Sequence, residues 1–177
     1  GKTLDIATVE ETEIEKIFVK PDTIEPLEET IEAIKMADIV IIGPGSLYTS
    51  VIPNLLVNRV EYAIKENRGR KFYIGNIMTQ PGETDGYTQA DHIRAIERHQ
   101  KNKDRRLFEF CILNSGKLPE PVAKEYRRYH SQKVEIGEKL NDYTYVTDDF
   151  IILEDGRIRH DADLLARRIF ETYVNCK

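Results

Sequence analysis

The chain has few of the residues and segments that mark several classes of protein. It has no tryptophan and two cysteines, Cys111 and Cys176, which show no paired spacing. A disulfide scaffold is therefore not expected, and we predict two reduced thiols. No apolar run approaches the ~18 residues that a membrane span needs, and no signal peptide opens the chain. These absences predict a cytoplasmic protein without a membrane partner.

The chain also lacks an excess of basic residues. It has 26 Lys and Arg against 31 Asp and Glu, for a net charge of -5. General nucleic-acid binders carry a strongly basic face, so no nucleic-acid partner is predicted. The local exception is the Lys-Asn-Lys-Asp-Arg-Arg run at residues 101–106, and a solvated loop between a helix and a strand accounts for it better than a binding site does.

Recognisable catalytic and metal-binding motifs are scarce as well. His92 and His99 lie on one predicted helix, but their spacing is not that of a metal site, and we expect surface positions for both. No serine occupies a G-x-S-x-G turn. The aspartates at 148–149, 161 and 163 are better explained by turns and helix caps. The sequence therefore predicts no catalytic residue and no metal ligand.

A buried strand followed by a glycine-rich loop stands out against these absences. Residues 39–42, Ile-Val-Ile-Ile, form a β-branched run without alternation, which predicts a strand buried on both faces. Ligands of open α/β sheets bind at the carboxyl ends of strands, and glycines allow a close backbone approach. A following helix start offers free N–H groups. The candidate ligand-binding residues here are Gly43, Gly45, Ser46, Tyr48, Thr49 and Ser50.

A plain strand-to-helix turn is the alternative for this loop. Pro44 removes one N–H group and so counts slightly against an anion site. The segment matches neither G-x-G-x-x-G nor the phosphate-binding G-x-x-x-x-G-K-[ST] motif. From local evidence alone, both interpretations stay open.

A second loop, at residues 78–87, follows the strand predicted at 71–77. It is longer than the usual two to six residues of a strand-to-helix connection, and such loops are often functional. Asp85 is a candidate for a sugar hydroxyl and Tyr87 for stacking or a hydrogen bond. The alternative for Asp85 is that it builds a turn with Gly86. The candidate ligand-binding residues of this region are Asn76, Thr79, Gln80, Asp85 and Tyr87.

The order of elements predicts the fold. Strand and helix alternate at least three times, with Thr88 and Asp91 in capping-box positions before one helix. An Asp-Gly hairpin signal at 155–156 and a last helix capped by Asp161 follow. We predict one α/β domain over residues 1–177, doubly wound and Rossmann-like, with a mostly parallel sheet and helices on both faces. A small hairpin and a helix close it. Further short strands are predicted at 3–9, 14–20 and 133–136.

Two stretches carry a family resemblance. Residues 43–56 read Gly-Pro-Gly-Ser-Leu-Tyr-Thr-Ser-Val-Ile-Pro-Asn-Leu-Leu, and residues 76–88 read Asn-Ile-Met-Thr-Gln-Pro-Gly-Glu-Thr-Asp-Gly-Tyr-Thr. Both resemble the signatures of the YvcK-type gluconeogenesis factors, in the superfamily of the phospholactate transferase CofD. Their order and spacing make the resemblance specific, although the last quarter of the chain is similar only in general form.

The resemblance implies a cytoplasmic regulator rather than an enzyme. Members of the family bind a nucleotide sugar of the UDP-N-acetylglucosamine kind, direct carbon toward cell-wall precursors and help to maintain cell shape. We expect this ligand, a partner protein and a homo-oligomer, and no certain cofactor. The related transferases move a phospholactyl group onto a deazaflavin precursor. Their loop resembles Gly-Pro-Ser-Asn-Pro, whereas Gly45, Ser46 and Leu47 follow Pro44 here, which favours the regulator.

Two other functions stay open from the sequence. One is a CofD-like phospholactyl or phosphoryl transferase that uses a divalent metal, with Asp85 or Glu83 as ligand. The other is a half-domain that serves only for packing and dimerisation. The family also opens with a Gly-Gly-Gly-Thr-Gly turn that holds phosphates, and these 177 residues contain no such motif. We therefore expect the carboxyl-terminal portion of a larger CofD-like domain, in which the loop at residues 43–46 forms the opposite wall of the crevice.

Overall fold

A computed structural model describes residues 14–176 of the chain, and within this range the core is a parallel sheet with strand order β1-β2-β3-β4. An antiparallel hairpin, β5-β6, follows it. The strand predicted at residues 3–9 lies outside the described residues. The strands are β1 Ile39–Ile42, β2 Arg70–Ile74, β3 Phe110–Asn114, β4 Thr144–Asp148, β5 Ile151–Glu154 and β6 Arg157–His160.

Two helices begin where capping residues predict them. The Thr88 hydroxyl accepts the Asp91 N–H, and the Asp91 carboxylate accepts the Thr88 N–H, which confirms the capping box. Asp161 caps the last helix by accepting the Leu164 N–H at 2.9 Å. The helices are α1 Glu28–Met36, α2 Ile52–Leu56, α3 Val60–Glu66, α4 Gln89–His99, α5 Glu120–Arg128 and α6 Ala162–Asn175.

Each face of the sheet carries its own apolar cluster. Tyr73 and Cys111 pack toward α4 and its buried Ile93 and Ile96. Alternate residues of the same strands, such as Phe72, pack with Ile169 of α6 on the other face. Side chains of successive strand residues point to opposite faces, so both layers of helices are needed to bury them. The predicted doubly wound α/β fold is confirmed.

Two of the predicted short strands, at residues 14–20 and 133–136, are wrong. Residues 14–20 form no strand; the Ile17 N–H donates to His99 Nε2 at 3.0 Å instead of joining a ladder. The strand predicted at 133–136 is a single bridge between Lys133 and Met78. Between β1 and β2, helices α2 and α3 are separated at residues 57–59, where Arg59 has a φ of 66°, and a π-helical turn at Leu47–Val51 precedes α2. Apolar spacing does not report where the backbone reverses.

β1 is not buried on both faces, contrary to the prediction. Ile41 is 49% exposed, and among residues 14–176 only β2 pairs with β1. A β-branched run indicates a strand, but it does not say what covers that strand. No helix in the described range is both long and apolar enough to cross a membrane. Cys111 and Cys176 are free thiols.

Candidate functional site

The two predicted loops meet at the carboxyl ends of β1 and β2. Gly43 has a φ of 81°, and a Cβ atom there would lie 2.9 Å from the carbonyl oxygen of Ile74, so glycine is needed where the chain leaves β1 beside β2. The Asn76 amide joins the loops: its Nδ2 donates to the Gly45 carbonyl at 2.8 Å, and its Oδ1 accepts the Gly45 N–H at 3.3 Å. One side chain thus holds both backbone groups of Gly45.

Glu83 of the second loop occupies the helix start that follows the first loop. Its carboxylate accepts hydrogen bonds from the Tyr48 N–H and the Thr49 hydroxyl, and burial raises its pKa above the usual range. Gln80 Nε2 donates to the same carboxylate at 2.8 Å. We expected this helix start to offer free N–H groups to a ligand, but the Tyr48 N–H already donates to the Glu83 carboxylate.

Tyr48 and Tyr87 form a buried layer behind the loops. Their hydroxyls lie 2.9 Å apart and their rings meet edge to face, with side chains 3% and 8% exposed respectively. The Tyr48 hydroxyl also bonds the Ile14 carbonyl at 3.3 Å. Tyr87 meets the ring of His92 edge to face at 5.6 Å. These two predicted ligand contacts therefore lie beneath the surface of the loops.

His92 and His99 belong to the same buried layer, which contradicts their predicted surface positions. His99 Nε2 accepts the Ile17 N–H, so its Nδ1 donates to the Ala95 carbonyl at 2.7 Å and the ring is neutral. His92 Nδ1 lies 2.8 Å from the Thr88 carbonyl, while its Nε2 is buried and has no hydrogen-bond partner among residues 14–176. Burial lowers the pKa of both histidines.

Three other predicted residues take part in the loops' own structure. Asp85 is exposed and accepts the Gly82 N–H at 2.6 Å, so it bonds the backbone of its own loop at Gly82 and not at Gly86. Thr79 is buried, and its hydroxyl accepts the Gln132 N–H at 2.9 Å. Ser50 lies at the other side of the first loop, where its carbonyl accepts from Asn54 at 2.7 Å.

A cleft of about 440 Å³ opens in front of the two loops. Ser46 contributes to its wall, and its hydroxyl caps no helix, so that hydroxyl can bond a ligand. The cleft has the size of a small-molecule site. Gly43 and Ser50 instead border a groove along the edge of β1. The predicted residues that line the cleft are Gly45, Ser46, Asn76, Thr79 and Gln80.

Sequence reasoning missed the opposite wall of the cleft. Arg159 and His160 of β6 and Tyr126 of α5 line it. His160 Nε2 lies 3.2 Å from the Gly75 carbonyl, and burial lowers its pKa. Arg159 is exposed and forms no ion pair with any residue in the range 14–176. No spacing signalled these residues, because an arginine on a hairpin strand resembles any solvated surface residue.

The chemistry of the cleft suits an anionic ligand that carries hydroxyl groups. The Arg159 guanidinium can bind a phosphate with two parallel hydrogen bonds, and Ser46 and Asn76 line the same cleft. Across the described part of the chain, no three His, Cys, Asp or Glu side chains come together so as to hold a metal ion. Glu83 faces inward and Asp85 outward, so they do not converge on one point.

Comparison with known proteins identifies relatives of this chain. The chain is 42% identical over 174 residues to a putative gluconeogenesis factor from Clostridium acetobutylicum, covering 97% of this chain and 38% of that protein. The putative gluconeogenesis factor of Thermotoga maritima is 43% identical over 149 residues, or 81% of this chain and 46% of the relative. The gluconeogenesis factor of Bacillus subtilis is 37% identical over 156 residues, or 86% and 48%.

A solved structure agrees with these relatives. A crystal structure of a member of the UPF0052 family from Bacillus halodurans superimposes with a TM-score of 0.81 at 39% identity, and the match covers 86% of this chain and 49% of that one. The chain thus spans less than half the length of each of these relatives. Residues 3–151 match the family model described as 2-phospho-L-lactate transferase CofD, and the chain belongs to this family.

Proposed function

We propose that this chain forms one wall and part of the floor of a nucleotide-sugar site in a regulatory protein. The ligand is of the UDP-N-acetylglucosamine kind. The regulator acts in the cytoplasm through a partner protein, as a homo-oligomer, and directs carbon toward cell-wall precursors and cell shape. The observation that supports this proposal is the cleft itself, which is lined by the glycine loop and by Arg159, an arginine with no ion pair among residues 14–176. The names of the relatives support the metabolic setting.

The polar groups of the cleft suggest how such a ligand is bound. A diphosphate carries its charge on oxygen atoms that a guanidinium bonds in pairs, so Arg159 is assigned to it. Ser46 is assigned to a phosphate or sugar oxygen because its hydroxyl caps no helix. Asn76 and Gln80 already bond the protein, so they hold the cleft's shape and contribute their remaining hydrogen-bonding capacity.

Calorimetry with UDP-N-acetylglucosamine on a full-length protein that contains this chain tests the proposal. Arg159→Ala should weaken binding by about 1.5–3 kcal/mol, since it removes a charged hydrogen-bond donor. Arg157→Ala is the matched control, because Arg157 is an exposed arginine on the same strand that does not line the cleft. No heat at millimolar ligand, or equal losses for the two variants, would contradict the proposal.

A transferase remains the second candidate, and the description of the matching family model favours it. The reaction would move a phospholactyl or phosphoryl group from a nucleotide-activated donor to an acceptor: a bond from the acceptor to phosphorus forms, the bond to the nucleotide breaks, and the nucleotide is the leaving group. Turnover of such a donor that depends on Mg²⁺ and on a deazaflavin acceptor would establish it. Binding of the nucleotide sugar without turnover, in the same full-length protein, would leave the regulator.

A further inference from the structure

A second cavity lies at the amino ends of β3 and β4, whereas the cleft lies at the carboxyl ends of β1 and β2. Its volume is about 420 Å³. Its walls come from the second half of α4, from the loop that follows α4 and from Tyr143, which directly precedes β4. Five of the eight residues that line it are basic, namely Arg94, Arg98, Lys103, Arg105 and Arg106.

This positive charge is concentrated in an otherwise acidic chain. Residues 94–106 contain six Lys and Arg against two Asp and Glu, so the remaining residues contain 20 against 29. Among residues 14–176, Glu97 is the only acidic residue that lines the cavity, and its carboxylate already accepts the Tyr143 hydroxyl at 2.5 Å. Cations are attracted to the carboxyl end of a helix, which accounts for Arg98 on α4. It does not account for the three cations of the following loop.

The cations of the cavity are unpaired or weakly paired. Arg98 and Lys103 are exposed, and their side chains form no ion pair or hydrogen bond with any residue in the range 14–176. Exposed ion pairs contribute little to stability, so an incoming anion can replace their carboxylates at small cost. The other three arginines pair only with acidic side chains that are 40–78% exposed: Arg94 with Asp91 and Glu138, Arg105 with Glu66, and Arg106 with Asp142.

A buried carboxylate holds the loop that carries three of these cations. Glu61 of α3 is 6% exposed, and its carboxylate accepts the Lys101 N–H at 2.8 Å and the Asn102 N–H at 3.2 Å. Lys65 donates to the same carboxylate at 2.6 Å and also bonds the Asn102 carbonyl. The backbone of the loop is therefore fixed before any ligand arrives, which lowers the entropic cost of gathering its cations around an anion.

We propose that this cavity is a second anion-binding site, for a small ligand that carries two or more phosphate groups. Four of its five cations are arginines, whose planar guanidinium groups bind phosphate oxygens in pairs. The volume is that of a small-molecule site. Several cations around one cavity attract a multiply charged ligand more strongly than a single carboxylate. This inference does not depend on which ligand the cleft binds.

An acidic protein segment fits this surface less well. An extended chain of carboxylates needs an extended basic surface, but the positive charge ends at Arg105. The adjoining cavity, which shares Arg105, is lined by four basic and three acidic residues. The excess of positive charge is thus confined to one concave site, and the same confinement argues against a nucleic acid.

A fluorescent reporter in the cavity tests the proposal, in a full-length protein that contains this chain. Gln100 lines the cavity and is neutral, so Gln100→Cys can carry an environment-sensitive dye without loss of charge. Cys176→Ser, with serine at any other exposed cysteine, restricts the dye to that position. Inorganic pyrophosphate should change the fluorescence in a saturable manner, and inorganic phosphate should bind more weakly. Equal affinities for the two anions would contradict a site for more than one phosphate group.

Variants of the unpaired cations complete the test. Arg98→Ala and Lys103→Ala should each weaken pyrophosphate binding by about 10-fold or more, because each removes a charged hydrogen-bond donor. Arg167→Ala is the matched control, because Arg167 is an exposed helix arginine that does not line the cavity. No saturable change at millimolar pyrophosphate, or equal affinities in the three variants, would overturn the proposal. A glutamate-rich peptide that binds more tightly than pyrophosphate and displaces it would also overturn it, and would identify an acidic protein segment as the occupant.

Discussion

The two loops at the carboxyl ends of β1 and β2 have an inner and an outer layer with opposite properties. The inner layer contains Tyr48, Tyr87 and His92, which are buried and in contact with one another. The outer layer contains Ser46 of the first loop, which borders the cleft together with Arg159 of β6; the two do not pair with one another or with an acidic side chain in the described range. The polar residues of one pair of motifs thus divide into those that build the loops and those that can meet a ligand.

Residue type alone does not reveal this division. Tyrosine is amphipathic, and a buried tyrosine satisfies its hydroxyl with a protein partner as readily as an exposed one bonds a ligand. The pair of hydroxyls at 2.9 Å shows which case applies here. Substitutions should therefore affect stability in the inner layer and affinity in the outer layer.

Tyr87→Ala should have the largest effect on stability. It leaves a cavity among Tyr48 and His92 and removes the partner of the Tyr48 hydroxyl, so we expect a loss of about 3–5 kcal/mol in the free energy of unfolding. Urea denaturation measures it. Tyr62→Ala, at an exposed helix position, should cost far less. If Tyr87→Phe weakened ligand binding without changing stability, Tyr87 would belong to the outer layer after all.

Gly43→Ala should have the next largest effect. The substitution places a Cβ atom 2.9 Å from the Ile74 carbonyl at a positive φ, and we expect a loss of about 1–3 kcal/mol. Gly82→Ala separates the two causes, because Gly82 has a φ of 77° with no atom near its Cβ position. Equal urea midpoints for the two variants would show that the close approach of β1 and β2 does not require glycine.

Acidification should destabilise the inner layer moderately. The pKa values of His92, His99 and His160 are lowered by burial, so near pH 6 the unfolded chain binds more protons than the folded one. The contribution of each neutral histidine to the free energy of unfolding is fully present above its pKa in the unfolded chain, about 6.5. It falls as the pH drops below that value, by at most about 1.4 kcal/mol per pH unit for each histidine. Urea titrations at pH 7.5 and 5.5 measure the change.

Histidine variants identify which histidine causes the pH dependence of stability. His92→Gln should reduce the difference between the two pH values, whereas His130→Asn removes an exposed histidine and should leave it unchanged. An unaltered difference in His92→Gln would indicate that His92 does not contribute, and the pH dependence of stability would then come from His99 or from His160.

Ser46→Ala should have the smallest effect on stability and a clear effect on binding. The Ser46 hydroxyl caps no helix, so its loss should change the unfolding free energy by less than about 0.5 kcal/mol. Affinity for UDP-N-acetylglucosamine should fall by about 1–2 kcal/mol if the hydroxyl bonds the ligand. Ser50→Ala, on the far side of the same loop, is the control for calorimetry. Unchanged affinity in Ser46→Ala would remove this residue from the site.

The sequence predicted the frame of the molecule because local rules decide it. The capping box at Thr88, the Asp161 cap and the Asp-Gly hairpin each depend on a few neighbouring residues, and the structure confirms all three. The two loops were also located correctly at the ends of β1 and β2. These features need no knowledge of distant contacts.

The rest depends on contacts between residues far apart in the chain. His92 and His99 were predicted at the surface because their helix could not reveal that Tyr87 and residues 14–17 would cover them. Arg159 reaches the cleft only because the hairpin folds back toward β2, where His160 lies 3.2 Å from the Gly75 carbonyl. Ile41 is likewise exposed because, among residues 14–176, only β2 pairs with β1.

The Asn76 side chain couples the positions of the two loops. The side-chain nitrogen and oxygen of Asn76 both bond the backbone of Gly45. The backbone carbonyl of Asn76 accepts a hydrogen bond from the Gln89 side chain, at the start of α4, at 2.7 Å. A shift of the first loop by more than a few tenths of an ångström must therefore carry the end of β2 with it or break two hydrogen bonds. A displacement of Gly45 by a bound ligand would thus be transmitted to α4, a helix that does not border the cleft.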